Sequence, residues 1–276
     1  MKSLKYCLSA FVPLFLLACG QQEPLYKKTF ALEEKAALSE SLINGRGSGG
    51  WYQGTPAYEF QIKEAEKVYP QNGDIYREYG AALVKRGFAA KLHEEYAKAV
   101  ALNPEGWQGW RGYLYLYFYR DYERAIFDFD AIDALTPDFV DYPQSQSVHF
   151  MRGICYLQLD QYDKAIEYFD MHIAHETREA GLDFITAPTF LFKAIAHWKK
   201  GDMKSAKETL DIGLSVDSKN ADLLYWMAKY HREMGDETTA NGYIEKAKKQ
   251  FLAGYHNHRP YVEEFYQTYW ADLEAW

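Results

Sequence analysis

The side chains best suited to hold a metal ion lie together in one short segment. His172 and His175 are three residues apart, which places both on one face of a helix, and Glu176 follows directly. Imidazole and carboxylate groups are ligands that a zinc ion accepts. The metalloprotease pattern of two histidines four residues apart is absent, however, and no cysteine is near. We therefore interpret both histidines as ordinary surface residues and predict no metal and no cofactor.

A glycine-rich segment, residues 45–50, is the next candidate for chemistry. A phosphate-binding P-loop requires Lys followed by Ser or Thr after the last glycine, whereas Trp51 and Tyr52 follow here. A nucleophile elbow requires glycine two residues before the serine, and Arg46 stands there before Ser48. The segment is typical of a turn or connection. We predict that the protein is not an enzyme, with carboxylates assembled by the tertiary fold as the remaining catalytic alternative.

The third chemical feature is Cys19 near the amino terminus. Two lysines and an apolar stretch from Leu8 to Leu17 have the form of a secretory signal, too short to span a bilayer as a mature helix. The order Leu-Leu-Ala-Cys that ends it resembles a bacterial lipobox. That resemblance implies removal of residues 1–18 and acylation of Cys19, which would hold the protein at a membrane through its amino-terminal acyl chains. An ordinary signal peptide and an uncleaved anchor are the alternatives.

Location and redox state follow from this interpretation. Because Gly20 and not Asp comes after Cys19, the resemblance implies an extracytoplasmic protein of the outer membrane, if the organism has one. Cys7 would leave with the signal peptide and Cys19 would be acylated, so Cys155 would have no cysteine with which to form an internal disulfide.

Charge and composition limit the function classes. The chain of 276 residues has 31 Lys and Arg against 39 Asp and Glu, a net charge of −8. Loss of Lys2 and Lys5 with the signal would leave 29 basic residues against 39 acidic ones, a net charge of −10. A protein that binds nucleic acid needs a basic surface to displace counterions, so we predict no nucleic-acid partner. The unusual feature is the aromatic content of 24 Tyr, 16 Phe and 7 Trp.

Residues 73–106 contain two helical patterns with a turn between them. Apolar residues recur at intervals of three and four around Gly80 in the first pattern and Ala99 in the second, with a break at Gly87 and a stop at Pro104. This unit resembles the tetratricopeptide repeat, a helix-turn-helix of 34 residues that needs small residues where its helices cross. The resemblance implies an all-α, right-handed solenoid.

The same pattern occurs four more times, at 107–137, 147–175, 187–218 and 220–251, giving about five repeats. In the second repeat the first helix fits only with a one-residue adjustment of its turn. Two insertions, 138–146 and 177–185, lengthen the spacing between repeats, and such loops often contact a partner. We predict a signal peptide at 1–18, a lipidated arm and glycine-rich loop at 19–54, the solenoid at 55–251, and a capping helix with an aromatic face at 252–276.

In the family that the repeats resemble, the first helices line a concave groove that binds a partner protein. Carried onto this sequence, the positions predicted to contact the partner are Arg77, Lys85, Tyr113, Tyr117, Phe150, Trp198, Tyr225, Lys229 and Arg232. The predicted function is that of a lipid-anchored envelope adaptor or scaffold, which binds an extended or helical segment of another envelope protein. The alternative is a surface-exposed protein that binds glycan or peptide ligands through aromatic side chains.

Overall fold

The computed structural model describes residues 29–44 and 52–276. The predicted signal peptide, Cys19 and the glycine-rich segment lie outside the described residues. Within the described ranges the chain forms thirteen α-helices and no β-strand, as predicted for an all-α protein. The helices are α1 (Leu32–Asn44), α2 (Pro56–Val68), α3 (Gly73–Lys85), α4 (Ala89–Leu102), α5 (Pro104–Leu114), α6 (Tyr122–Leu135), α7 (Val148–Gln158), α8 (Tyr162–Glu179), α9 (Ala187–Lys200), α10 (Met203–Val216), α11 (Ala221–Glu233), α12 (Glu237–Leu252) and α13 (Trp270–Glu274).

Consecutive helices form hairpins that stack in chain order, which makes a solenoid. The hairpins α3–α4, α5–α6, α7–α8, α9–α10 and α11–α12 coincide with the five predicted repeats, and α1–α2 adds a sixth before them. Many of the helices begin at a side chain that accepts a hydrogen bond from the backbone of the first turn. Asn103, Asp202 and Asp236 do so for α5, α10 and α12.

The hairpins close around a small residue that faces a large one. A Cβ atom added to Gly80 would lie 2.8 Å from the ring of Tyr96, and one added to Gly153 would lie 2.6 Å from the ring of Phe169. Glycine is required at both positions because the two helices approach too closely for any side chain. In the last two hairpins the pairs Ala194 with Leu210 and Ala228 with Ile244 occupy the same places; all four side chains are buried.

The second repeat contains one residue more than the others. Sixteen residues separate Gly80 from Tyr96, whereas seventeen separate Gly112 from Phe129, whose ring occupies the same place. The chain accommodates the additional residue in a π-helical turn, Tyr115–Tyr119, that continues α5 and ends at Arg120 in the left-handed region. This turn is the physical form of the one-residue adjustment that the sequence requires.

The carboxyl-terminal segment corrects the prediction of a capping helix over 252–276. After Leu252, the last residue of α12, only Trp270–Glu274 is helical, and residues 253–269 form an irregular segment. We call residues 257–268 the strap. The carboxylate of Asp222 in α11 accepts hydrogen bonds from the backbone N–H groups of Asn257 at 2.7 Å and Thr268 at 2.8 Å. In a helix these N–H groups would instead bond to backbone carbonyls of the preceding turn. The buried carboxylate needs these hydrogen-bond donors, and both ends of the strap can reach it only because the strap is not helical.

No helix within residues 29–44 and 52–276 combines the length and the apolar character needed to span a bilayer.

Candidate functional site

The strap lies across the face of the solenoid formed by the first helices of the repeats. Asp222 holds both of its ends, and the ten residues between Asn257 and Thr268 cross toward α5. Near the middle of the strap, the Arg120 side chain donates a hydrogen bond to the backbone carbonyl of Glu263. The groove predicted from the repeat register therefore contains a segment of the chain itself.

Two aromatic side chains of the strap pack among rings of the repeats. Phe265 is buried, and its ring centroid lies 5.7 Å from that of Tyr117 and 6.2 Å from that of Tyr122. The ring of Tyr266 lies 6.2 Å from Phe192 in α9 and 6.3 Å from Trp226 in α11. Burial of these rings gives the strap its main favourable free energy, on the order of 2 kcal/mol for a fully buried large apolar side chain.

Arg259 supplies the polar part of the contact. Its guanidinium carbon lies 3.7 Å from the ring centroid of Tyr117, and its Nε donates to the carboxylate of Glu264 at 3.0 Å. A further hydrogen bond of 3.3 Å runs to the hydroxyl of Tyr113. Burial raises the pKa of Tyr117 well above its ordinary value despite the nearby Arg259 charge. Tyr117 thus stays neutral and donates to Gln146 at 2.8 Å.

The structure corrects the predicted partner-binding role for two residues. The side chain of Tyr117 is only 1% exposed beneath Arg259 and Phe265. Phe150 is also buried, with its ring stacked 6.0 Å from that of Phe192. The repeat register predicts which positions face the groove, but it cannot show that the chain itself covers them.

Four predicted residues form a separate group at the carboxyl-terminal end of the groove. Trp198 packs edge-on against Trp226 at 5.7 Å, and the Lys229 ammonium lies 3.9 Å from the centroid of the same Trp226 ring. Tyr225 and Arg232 both contact Trp276, the last residue of the chain. Burial, with the nearby Arg232 charge, lowers the pKa of Lys229. This end of the groove is occupied by side chains that pair with one another and with Trp276.

The other three predicted residues meet around an open pocket. Arg77 and Lys85 of α3 and Tyr113 of α5 line a cavity of about 450 Å³ between the first repeats and the strap. The strap forms one wall of this cavity through Arg259, Pro260 and Tyr261. The remaining walls are apolar, aromatic and amide side chains, namely Gln53, Ala81, Val84, Tyr96, Trp110, Leu114, Phe118 and Gln144. We call this cavity the strap pocket.

The strap pocket is basic although the whole chain is acidic. Among the described residues, three cationic side chains line it and no Asp or Glu does. The charge of Arg77 is compensated by the carboxylate of the buried Glu78, 2.5 Å away, and the charge of Arg259 by that of Glu264. Within the described part of the chain Lys85 has no such partner, since its ammonium contacts the amide oxygen of Gln53 at 2.5 Å. The strap pocket therefore carries the uncompensated positive charge of Lys85.

The sequence prediction missed the strap residues of the pocket. Arg259 and Tyr261 are more than 140 residues away in sequence from Arg77 and Tyr113, and no repeat pattern relates them. One signal was present in the sequence: His256 to Pro260 interrupts the helical pattern, and the break marks the start of the strap. After the break, aromatic residues recur at intervals of three and four, which is typical of a helix, so the sequence did not indicate the irregular backbone.

The structure corrects the interpretation of His172 as a surface residue. His172 is buried against Phe150, and its Nδ1 atom lies 3.7 Å from the Glu176 carboxylate. His175 points elsewhere and contacts Arg178 and Tyr142. The described ranges contain no group of three or more His, Cys, Asp or Glu residues arranged to hold a metal ion.

Comparison with known proteins supports the repeat assignment. The sequence profile of the family described as Tetratricopeptide repeat matches residues 120–178. No curated protein sequence matches the chain significantly.

Several solved structures have a similar fold. PilF of Pseudomonas aeruginosa is 20% identical with a TM-score of 0.58, over 79% of this chain and 94% of that one. PilW, described as a widely conserved type IV pilus biogenesis factor, is 17% identical with a TM-score of 0.58, over 80% of this chain and 93% of that one. A tetratricopeptide repeat protein from Parabacteroides merdae is 17% identical with a TM-score of 0.51, over 78% of each chain. Residues 120–178 therefore match the tetratricopeptide repeat, and the chain has the fold of tetratricopeptide-repeat proteins.

Proposed function

We propose that the protein is an adaptor that binds a segment of another protein in the strap pocket. The observation that carries this proposal is the combination of an uncompensated Lys85 charge with walls of Trp110, Tyr113 and Phe118. A segment with an acidic side chain next to an apolar one complements both features. Aromatic anchors in a partly enclosed pocket supply most of the binding free energy in many protein interfaces.

The pocket is already shaped in the free protein. The Lys85 ammonium is held by Gln53, whose amide nitrogen in turn donates to Glu78 at 2.8 Å. The strap wall is held by Asp222 and by the packing of Phe265. A preformed site loses little conformational entropy on binding, which favours affinity.

We further propose that Cys19 is acylated and that the adaptor works in the cell envelope, at the outer membrane if the organism has one. The lipobox resemblance supports the anchor. The similarity in fold to PilW, a pilus biogenesis factor, supports a role in assembling an envelope structure. The acyl chains would fix the adaptor at the membrane surface, while the strap pocket would provide affinity for the partner. No reaction is part of this proposal.

Photocrosslinking in the native host tests the proposal. A photoreactive phenylalanine analogue replaces Tyr261, which lies at the rim of the strap pocket and is 68% exposed. We expect one protein to be crosslinked, through a segment that contains an acidic residue. The substitution Lys85→Glu should reduce the yield at least about tenfold, because it reverses the uncompensated Lys85 charge in the pocket.

The matched control is Lys91→Glu, which makes the same charge change at an exposed lysine of α4 outside the pocket. It should leave the crosslink unchanged. Equal loss with both variants, or no loss with Lys85→Glu, would show that the strap pocket is not the site. Retention of the protein on a glycan array with no crosslinked protein would favour the glycan-binding alternative.

A further inference from the structure

The two insertions of the repeat array meet at one edge of the solenoid. The first forms the connection between α6 and α7, and the second the connection between α8 and α9. Tyr142 of the first insertion donates a hydrogen bond of 2.6 Å to Glu176 of α8, and its ring lies 6.2 Å from that of His175. We call the surface formed by residues 138–146 and 176–186 the loop edge.

The loop edge exposes large aromatic side chains. Phe139 is 65% exposed and Phe184 is 75% exposed. They lie on either side of Tyr142, which lines both the hollow of about 580 Å³ that contains Phe139 and the hollow of about 230 Å³ that contains Phe184. Two exposed rings beside concave surface on the same edge indicate an interaction site.

The loops are held in a defined shape. The first contains a 3-10 turn, Pro143–Ser145, and the second contains another, Leu182–Phe184. Asp141 accepts a hydrogen bond of 2.6 Å from the Thr136 hydroxyl, and its carbonyl accepts one of 3.0 Å from the Val148 N–H. The first loop is tied to the repeats by the Tyr117–Gln146 hydrogen bond. The exposed rings therefore project from an ordered surface, as a docking site requires.

The charges of the loop edge are the reverse of those in the strap pocket. Asp138, Glu176 and Asp183 make no ion pair with Lys or Arg anywhere in the described ranges. The basic residue of the loop edge, Arg178, lies 2.9 Å from Glu179 and is compensated by it. The surface thus combines exposed rings with uncompensated negative charge.

We propose that the loop edge is a second protein-docking surface, which binds a basic segment with apolar or aromatic side chains. The two hollows beside Phe139 and Phe184 share no described lining residue with the strap pocket, although Gln144 of the first loop lines that pocket. The Asp138 and Asp183 carboxylates attract the Lys or Arg residues of the segment, and Phe139 and Phe184 contact its apolar residues. Cationic side chains also bind to the faces of aromatic rings, which adds to the affinity. With two surfaces of opposite charge, the protein joins two different partners.

Selection from a displayed library of random 12-residue peptides tests the loop edge, with the mature protein immobilised. We expect peptides enriched in Lys, Arg and apolar residues. The double variant Asp138→Lys with Asp183→Lys should weaken binding of a synthesised selected peptide by at least about tenfold. Binding to the unchanged protein should fall between 50 mM and 500 mM salt, because screening shortens the reach of the charges.

Control variants separate this surface from the rest of the molecule. Glu94→Lys with Glu123→Lys makes the same charge change at exposed residues of α4 and α6 outside the loop edge. That variant and Lys85→Glu should both retain peptide binding. Phe139→Ser with Phe184→Ser should lose peptide binding with an unchanged melting temperature, since both rings are exposed.

Three outcomes would overturn the proposal. One is the absence of basic peptides from the selection, and another is equal loss with the Glu94 and Glu123 control. The third is a dimer in sedimentation experiments that dissociates on substitution of Phe139 and Phe184, because the loop edge would then bind a second copy of this chain.

Discussion

The Arg259 guanidinium lies over the ring of Tyr117, with 3.7 Å between the guanidinium carbon and the ring centroid. Tyr117 belongs to the second repeat, whereas Arg259 follows the last one. The contact is largely removed from solvent, and the Arg259 side chain is also bound to Glu264. A desolvated cation–π contact contributes on the order of 2 kcal/mol, so this pair is a principal attachment of the strap to the groove.

The strap should come loose when its buried ring is removed. Phe265→Ala removes the contacts with Tyr117 and Tyr122 and should lower the free energy of unfolding by about 3 kcal/mol. Because Asp222 and the other strap contacts remain, we expect the loss to be local. Hydrogen exchange measured by mass spectrometry should accelerate in peptides covering 257–268 while α7 to α10 stay protected.

Phe127→Ala is the control for this experiment, because it removes a ring of the same kind that is 68% exposed on α6. It should leave exchange in the strap nearly unchanged. A uniform increase of exchange through all the repeats with Phe265→Ala would mean that the strap is an inseparable part of the core.

A second prediction concerns the close approach of the helices in each hairpin. Gly153→Ala places a methyl group 2.6 Å from the buried ring of Phe169, which cannot move away without disturbing its neighbours. Overpacking of this kind costs about 1–3 kcal/mol. The free energy of unfolding, measured in urea, should fall by that amount.

The matched substitution is Gly242→Ala in α12, where an added Cβ meets nothing within 4 Å. Alanine is the better helix former, so this variant should gain up to about 1 kcal/mol. Equal stability changes for the two variants would contradict the role assigned to the Gly153–Phe169 contact.

The sequence was sufficient to predict the repeats because their physical requirements recur. Each hairpin needs a small residue opposite a large one, a polar residue before a helix and a break between helices, and these positions repeat at nearly constant spacing. The sequence also indicated that the second repeat is irregular, because one additional residue separates Gly112 from Phe129, the ring that faces it. Local rules of this kind can be read directly from the order of residues.

The strap pocket could be predicted only in part, because half of it depends on long-range contact. The register placed Arg77 and Lys85 on the correct face of α3, but nothing local relates Arg259 to Tyr117. The helical spacing of rings after Pro260 favoured a capping helix. The backbone instead follows the two hydrogen bonds to Asp222, a residue more than 30 positions earlier. Tertiary contacts override such local preferences.

Acylation of Cys19, as proposed, determines the fraction in which the protein is found after cell lysis. Cys19→Ala removes the site of acylation, so the protein should move from the membrane fraction to the soluble fraction after cell lysis. Cys155→Ala is the control, since that cysteine is fully buried and burial raises the pKa of its thiol, which suppresses its reactivity. The control should stay in the membrane fraction. A Cys19→Ala protein that still sediments with membranes would contradict acylation at this residue.

His172 makes the stability of the protein sensitive to moderate acid. Burial lowers its pKa from 6.5 to about 4, an effect that the nearby Glu176 opposes and His149 and His175 reinforce. Between these two pH values the unfolded chain binds a proton that the folded protein excludes, so the neutral imidazole favours the folded state. This contribution is fully present above pH 6.5 and is lost as the pH falls toward 4.

The shift corresponds to a loss on the order of 3 kcal/mol, which should appear as a steep decline in the free energy of unfolding between pH 6.5 and 4. His172→Gln has no proton to gain in this range, so its decline should be shallower by a similar amount, even if its stability at pH 7 is lower. The measurement is urea denaturation followed by circular dichroism at half-unit steps of pH. His175 is more exposed than His172 and is the smallest of the named causes of the His172 shift, so His175→Gln should retain most of the decline of the unchanged protein. Parallel pH profiles for the His172 variant and the unchanged protein would mean that another group causes the acid sensitivity.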